Sequence, residues 1–586
     1  MMITMKPVDA VVVGLGWTGS IIARELVDAG IGVVALERGG HRESQEFSYP
    51  QKDDELKFVQ RNALMTRLAL ETLTFRNRSS ETALPMRNHG SFLVGDGVGG
   101  SGTHWGGVTW RWMPWDHEPR RRLDERYGRK FVPKDMTIQD WGITYDELEP
   151  WYAKVESDWA VSGKAGNIGG KRIEGGNPFE GPRSGEYVNP PLAPSNMMLE
   201  MERAARSLGL HPFITPAAIS SRAYTNADGI QYGQCHYNGF CERFGCPSNA
   251  KASPVNTLLP LLANKSNFEL RANSRVMKVN LDDSKRKAIG VTYVDALGRE
   301  VFQPAELVIL SAYGLGNVHL MLLSGIGKPY DPATGRGTIG KNYAYQCQGG
   351  VTVFLDEDKW LNPWMGSGGL QMALDDFNVE TNDFGKLGFI GGATIATASN
   401  GARPIAFRPV PPGTPSWGTE WKRAVVKHYQ HTLPINAQGG GMAYASNYLD
   451  LDPTYRDAFG RPMLRMTFDF NDNEQRMANY AIDQCERIGK ATGAKVVAKR
   501  GAPKQYDIVP YQSTHNTGGA IMGADPSESA LNNYLQSWDV PNVFAVGANA
   551  FPQNAGKNPT GPLAALSYRA AHAIRNRYLK APGLIG

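Results

Sequence analysis

Several things are scarce in this 586-residue chain. Cysteine is one: five residues in all, too few for a disulfide framework. Long apolar runs are another. None approaches the ~18 residues that a membrane-spanning helix needs, and the best stretch, 307–326, is broken by Ser311, Gly314, Asn317 and His319. Charge of one sign is also lacking: 62 basic residues face 57 acidic ones, a surplus that gives no case for nucleic-acid or membrane adhesion. The first nine residues hold no apolar h-region and lead straight into a strand, so the chain is expected to carry no export signal of its own and, alone, to be cytoplasmic. Neither a G-x-S-x-G elbow nor a G-x4-G-K-[ST] loop occurs, which disfavours hydrolase and NTPase chemistry. Internal repeats and low-complexity segments are missing too.

What is present is an ordinary globular composition, 41% apolar and 20% charged, with an excess of glycine, 66 residues, that clusters instead of repeating. Clustered glycine suggests tight loops around a large ligand. Length alone predicts about four units at roughly 150 residues each, or one large α/β domain with long insertions. Residues 8–13 (VDAVVV) predict a strand, 20–29 a helix and 33–36 a second strand, together a βαβ unit. Strand-like alternation resumes over 267–280 and 300–312, and 543–546 with 562–575 reads as a final strand and helix. Residues 111–250 read as loops and short helices, and about 345–505 as an irregular, Trp-rich, substrate-facing insertion.

Between the first strand and helix lies Gly14-Leu15-Gly16-Trp17-Thr18-Gly19, a G-x-G-x-x-G turn. The first glycine permits the turn, the second admits a pyrophosphate to the backbone, and the third lets helix and strand pack, with the helix N-terminus facing the phosphates. Glu37 ends the second strand, where an acid accepts hydrogen bonds from a ribose and disfavours a 2′-phosphate. These features predict a dinucleotide site without deciding between FAD and NAD.

Cys235, Cys241 and Cys246 form C-x5-C-x4-C followed by Pro247. Thiolates so clustered commonly hold iron and sulfide, and three without a nearby fourth suggest [3Fe–4S]. Zinc with His236 as fourth ligand and three buried free thiols are the other readings. Cys347 and Cys485 stand alone and are expected in the core. Trp110-Arg111-Trp112 and Trp115 offer aromatic faces for a sugar, or simply core.

Four motifs occur in order: Glu37-Arg38-Gly39; Gly97-Val98-Gly99-Gly100-Ser101-Gly102-Thr103-His104-Trp105; Leu323-Ser324-Gly325-Ile326-Gly327; and Asn558-Pro559-Thr560-Gly561. Together they resemble the glucose–methanol–choline (GMC) family of FAD oxidoreductases over nearly the whole chain. Residues 134–140, 324–330 and 534–539 look most like the flavoprotein subunits of gluconate-type dehydrogenases within it. Tyr313 and Gly316-Asn317 depart from the family's small residue and Ser-Pro, which bears on the local turn. The resemblance implies an α/β fold: a Rossmann-like FAD-binding domain from residues 1–110, 251–345 and 506–586, and a discontinuous substrate-binding lobe on an antiparallel sheet from 111–250 and 346–505, which includes the cysteine loop 235–246.

It also implies site residues. The cofactor would meet Gly14, Gly16, Trp17, Thr18, Gly19, Glu37, Arg38, Gly99, Gly100, Thr103, His104, Trp105, Val276, Ala312, Asn549 and Thr560. His104 matches the His that pyranose oxidase bonds covalently to flavin; the plainer role is a His that packs on the ring or bonds backbone. His515 and Asn558, within His515-Asn516-Thr517-Gly518-Gly519 and Gly547-Ala548-Asn549-Ala550-Phe551-Pro552, match the pair that faces flavin N5 in sugar-oxidising members: a base for the hydroxyl proton and an amide that aims the C–H. The activity implied is oxidation of a sugar acid, sugar or polyol by hydride transfer to FAD, with electrons leaving through the iron–sulfur centre to a multihaem cytochrome c. A sugar oxidase using oxygen and a non-catalytic electron-transfer flavoprotein are the alternatives, the first leaving the cysteines idle and the second the His515/Asn558 pair. Gluconate-type subunits are co-exported with a small partner bearing a twin-arginine signal, which implies a position on the periplasmic side of the inner membrane.

Overall fold

A computed structural model describes residues 2–48, 55–398 and 405–586. The β-branched run Val8–Val13 forms the centre of a parallel sheet, flanked by Val33–Leu36 and then Phe268–Arg271 on one side and by Glu300–Leu310 on the other. Residues 10–13 and 33–36 are buried, as expected of strands covered on both faces. The eleven-residue strand Glu300–Leu310 serves two neighbours on its outer edge. Its first half pairs antiparallel with Ala288–Val294, which continues to Arg275–Leu281, and its second half pairs parallel with Val543–Ala545. The sheet is therefore assembled from three stretches far apart in sequence.

The first helix, Trp17–Asp28, starts three residues before the expected point, so Trp17 and Thr18 belong to its first turn. It packs against Thr560–Ala573, which in turn packs on Tyr145–Asp158. The glycine turn carries out its three tasks separately. Gly14 has φ +88°, and a Cβ there would lie 2.7 Å from the Ser311 carbonyl oxygen. A Cβ on Gly19 would lie 2.1 Å from the Gly14 carbonyl oxygen, whereas one on Gly16 would meet nothing closer than 3.9 Å. Gly19 thus serves packing, and Gly16 keeps an open face.

A second, six-stranded sheet is antiparallel throughout, in the order Val496–Arg500, Cys347–Phe354, Thr432–Gly439, Ala393–Ala398, Gln371–Leu374, Phe213–Ile214. Its apolar side, with Val351, Val353, Ile395, Leu433 and Ile435, is covered by the helices Asp472–Ala491 and Asn196–Ser207. The stretch 345–505 is thus not irregular. Its strands were obscured because alternate positions (Gln348, Thr394, Asn436, Gln438) are polar and face a cavity, not the core. The twenty-residue helix Asp472–Ala491 was missed although Met477, Ala481, Cys485 and Ile488 mark a buried stripe. Ala288–Val294 adds a strand between the two expected at 267–280 and 300–312.

The polypeptide around 111–183 is fixed by a buried ion network. Arg111 donates through Nε (2.7 Å) and Nη2 (2.9 Å) to Glu156 and through Nη1 (2.8 Å) to Glu149, and Arg183 also reaches Glu156. Arg111 is therefore a structural residue, not part of a sugar platform. Trp112 and Trp115 are buried in core clusters.

The glycine geometry predicts a split. Gly19→Ala should cost about 1–3 kcal/mol of stability, the usual range for overpacking, read as a lower urea midpoint. Gly16→Ala should stay within about 1 kcal/mol of wild type, since only a helix N-cap changes, yet should retain less dinucleotide after desalting. Equal unfolding of both variants would contradict this division of labour.

Candidate active site

One cavity of about 620 Å³ lies between the two sheets. Gly14, Gly16, Trp17, Thr18, Glu37 and Arg38 line it, as do Gly100, His104, Trp105, Val276, Ala312 and Thr560, together with His515 and Asn558. Residues from four remote segments thus meet in one space. Gly19, Gly99, Thr103 and Asn549 do not line it. Gly99 (φ +92°) donates its N–H to the Leu15 carbonyl at 2.8 Å, which presses the two glycine loops together. The Thr103 hydroxyl caps its own turn on the Gly100 carbonyl. Asn549 is buried behind the wall, where its Oδ1 accepts from Asn317 Nδ2 at 2.9 Å; the neighbouring Gly547 and Ala548 face the cavity instead. That bond also explains the departure at Asn317, whose Oδ1 accepts the Ala312 N–H at 2.7 Å and so holds the turn that Tyr313 enters at φ +70°.

Glu37 is buried, and its two oxygens accept the N–H groups of Leu15 and Gly39, each at 3.0 Å. Each oxygen keeps a lone pair for a ribose, while the amides hold the carboxylate at the cavity wall. Burial pushes its pKa up against those amides. The dinucleotide reading fits this wall: an open glycine face, a buried acid, and two buried ring nitrogens, Trp17 Nε1 and His104 Nε2, with no partner among the described residues. Burial, aided by Lys251 and Arg243, pushes His104 down to about 3, so its ring is neutral.

His515 is held at both nitrogens. Nδ1 lies 2.7 Å from Gln346 Oε1, and Nε2 lies 3.0 Å from Asn558 Nδ2. The tautomer follows from the partners. Gln346 spends its amide hydrogens on the carbonyls of Ala555 and Lys557, both at 2.8 Å, so its oxygen faces His515 and Nδ1 must donate. Trp110 Nε1 donates to Asn558 Oδ1 at 2.8 Å, which turns the Asn558 amide nitrogen toward His515. Nε2 therefore carries the lone pair. Burial lowers the His515 pKa to about 4, leaving a neutral imidazole near pH 7. The preceding Thr514 sits at φ +64°, a strained conformation of the kind that collects at working sites. Gln346 and Trp110 were not expected as parts of this constellation. A Gln and a Trp carry no motif, and only their placement reveals them.

Along the antiparallel sheet the lining is uncharged and mostly polar, with Gln348, Gln371, Thr394, Asn436 and Gln438 beside Ala396 and Ala437. Thr394 is engaged by Asp375 and Asn378, and the Asn436 oxygen by Arg500. The three glutamines suit a polyhydroxylated ligand, because a carboxamide offers hydrogen bonds without a buried charge.

The cysteine loop abuts this cavity. Lys251 Nζ donates to the carbonyls of Trp105 (2.8 Å), Cys241 (2.8 Å) and Phe244 (2.9 Å), and the Arg243 N–H donates to the His104 carbonyl at 2.7 Å. Cys235 and Cys246 each receive a backbone N–H, from Tyr237 and Lys251, and Cys241 receives that of Gly368. Burial, with Cys241 and Cys246 alongside, pushes Cys235 up to about 12. Amide donors aimed at three neighbouring sulfurs are the chemistry of a thiolate ligand set. The sulfurs are not drawn together into one, however: among the described residues no group of three or more His, Cys, Asp or Glu side chains is placed to hold a metal ion. Cys347 and Cys485 are buried elsewhere.

Comparison with known proteins places this geometry. Models of the GMC oxidoreductase family match residues 141–347 and 443–567. Gluconate 2-dehydrogenase flavoprotein of Pantoea cypripedii is 47% identical over 585 residues, 99% of this chain and 95% of the relative. Fructose dehydrogenase large subunit of Gluconobacter japonicus is 24% identical, with 97% and 98% covered. Among solved structures, pyridoxine 4-oxidase from Mesorbium loti superposes with a TM-score of 0.58 at 15% identity, covering 96% of this chain and 98% of that one. The chain belongs to the GMC oxidoreductase family and is an FAD-dependent oxidoreductase acting on CH–OH groups.

Proposed function

We propose that this chain is the flavoprotein subunit of a dehydrogenase that oxidises a hydroxyl carbon of a gluconate-type sugar acid and passes the electrons to a cytochrome. The observation that carries the catalytic part is the His515–Asn558 contact with its tautomer fixed on both sides. The 47% identity to a gluconate 2-dehydrogenase flavoprotein supports the substrate class. Bound flavin supplies a two-electron hydride acceptor. A substrate hydroxyl enters between Asn558 Nδ2 and His515 Nε2, which otherwise bond each other. Its oxygen accepts from the Asn558 amide, and its proton passes to Nε2 as the C–H hydride departs. The amides along the antiparallel sheet hold the other hydroxyls.

His104 Nε2, neutral and without a partner among the described residues, supports its role as the point of covalent flavin attachment. Cys235, Cys241 and Cys246, which each receive a backbone N–H, would have to close on one another to hold the [3Fe–4S] cluster, which would supply one-electron chemistry beside the His104 loop. A small partner with a twin-arginine signal would carry the complex to the periplasmic face, where a multihaem cytochrome c accepts the electrons. The name of the Pantoea relative, a flavoprotein of a dehydrogenase, is consistent with a complex of several subunits.

Three tests follow from these roles. His515→Ala should slow single-turnover flavin reduction by gluconate roughly 10²–10⁴-fold; a rate within about threefold of wild type would remove it as the base, since that lies far below the range. Only neutral imidazole accepts the proton, and burial lowers its pKa to about 4. The reduction rate should therefore stay level as pH falls through the ordinary histidine range and decline only near pH 4. An acid limb at about 6.5, the unperturbed histidine value, would contradict the dry setting of His515. Cys241→Ser should leave flavin reduction intact while iron content and cytochrome-linked turnover collapse, once a soluble, flavin-loaded variant is in hand. Unchanged cytochrome turnover would exclude the relay.

A further inference from the structure

The segment that carries Asn558 also carries Lys557, whose side chain is 1% exposed and paired with Asp375, itself fully buried. Asp375 is saturated: it further accepts from Asn177 Nδ2 at 2.6 Å, Asn378 Nδ2 at 3.0 Å and Thr394 Oγ1 at 2.7 Å. A dry ion pair of this kind is a weak source of stability, since apolar residues of similar volume commonly do as well. A second observation gives it a direction. Lys557 Nζ lies 4.1 Å from the centroid of the Trp110 ring, and the same indole donates its N–H to Asn558 Oδ1.

We propose that Lys557 is a positioning residue: its ammonium, seated on Trp110, strengthens the hydrogen-bond chain that runs through Asn558 to the reacting hydroxyl. This rests on the roles of His515 and Asn558 given above. A cation on the indole face draws ring electron density toward itself, so the indole N–H becomes a stronger donor. A stronger bond at Asn558 Oδ1 polarises the amide and makes Nδ2–H the better donor in turn, because linked hydrogen bonds reinforce one another in a low dielectric. That N–H points to where the substrate oxygen gathers charge as its proton leaves. The backbone of Lys557 acts on the same histidine from the other side, since its carbonyl accepts from Gln346 Nε2, whose oxygen holds His515 Nδ1–H. The links form a closed circuit, Lys557–Trp110–Asn558–His515–Gln346 and back to Lys557. Lys557 does not itself line the cavity, so it works through Trp110 and not by touching substrate.

Removing only one charge would strand the other in the interior, so the test removes both. Flavin-loaded Lys557→Met/Asp375→Asn holoenzyme, mixed with gluconate in a stopped-flow instrument, should bind gluconate nearly as wild type does. Its flavin reduction should be about tenfold slower, within the reach of a desolvated cation–π contact. The loss should vanish in an Asn558→Ala background, where the chain is already cut; a merely structural role would subtract again there. Trp110→Phe keeps a ring under the ammonium but lacks the N–H, and should reproduce the slow reduction even where the charge-removed protein fails to load flavin. Wild-type reduction in either flavin-loaded variant, or a full additional loss on Asn558→Ala, overturns the role of Lys557. Wild-type reduction in Asn558→Ala alone would instead overturn the assignment of the His515–Asn558 pair.

Discussion

The hydrogen bond from His515 Nδ1–H to the Gln346 side-chain oxygen is the contact on which the His515 wall of the cavity depends. It decides which ring nitrogen keeps its lone pair, and it is available only if the strand beginning at Cys347, the loop at 515 and the loop at 555–558 all reach the same point. Each of these comes from a different part of the chain. The two sheets must therefore be assembled before the histidine has a defined chemical character. Burial then completes the assignment by keeping the ring neutral, because a charge there would face little water.

Much of the dinucleotide wall was legible in the sequence, since its requirements are local. A β-branched run, a G-x-G-x-x-G turn and an acid at the next strand end are adjacent in the chain, and backbone sterics dictate each glycine. Glu37 was legible as a position but not as a geometry: nothing in the sequence says that Leu15 and Gly39 already bond its oxygens. Asn549 shows a related gap between position and geometry. A polar residue beside Gly547 reads as a ligand contact until Asn317 is seen to claim it.

The opposite wall was harder to read because it is non-local and chemically unusual. A strand whose buried alternate face is Gln, Thr and Asn does not show the apolar rhythm that marks a sheet. The pattern that would have rescued it lay in the covering helix Asp472–Ala491, whose apolar stripe needs something flat to cover. The His515–Asn558 pairing was visible only through likeness to other sequences. Its supports, Gln346 and Trp110, were invisible because a hydrogen-bond circuit through five residues leaves no spacing rule behind. The cysteine triplet stands between these cases: its clustering is plain in the chain, and its amide donors and the Lys251 clamp appear only in three dimensions.

The amide-rich floor of the cavity bears on how this scaffold changes its choice of substrate. A carboxamide is a donor at one end and an acceptor at the other, and a half-turn exchanges the two. Gln348, Gln371 and Gln438 thus form a reprogrammable surface, whereas Asn436 is held by the Arg500 guanidinium: a new arrangement of hydroxyls calls for rotated amides, not for new charges in a dry space. The histidine wall opposite is locked by its partners and has no such freedom. A single Gln-to-Asn or Gln-to-Leu exchange on the floor would change which hydroxyls are held there while leaving the His515–Gln346 contact in place.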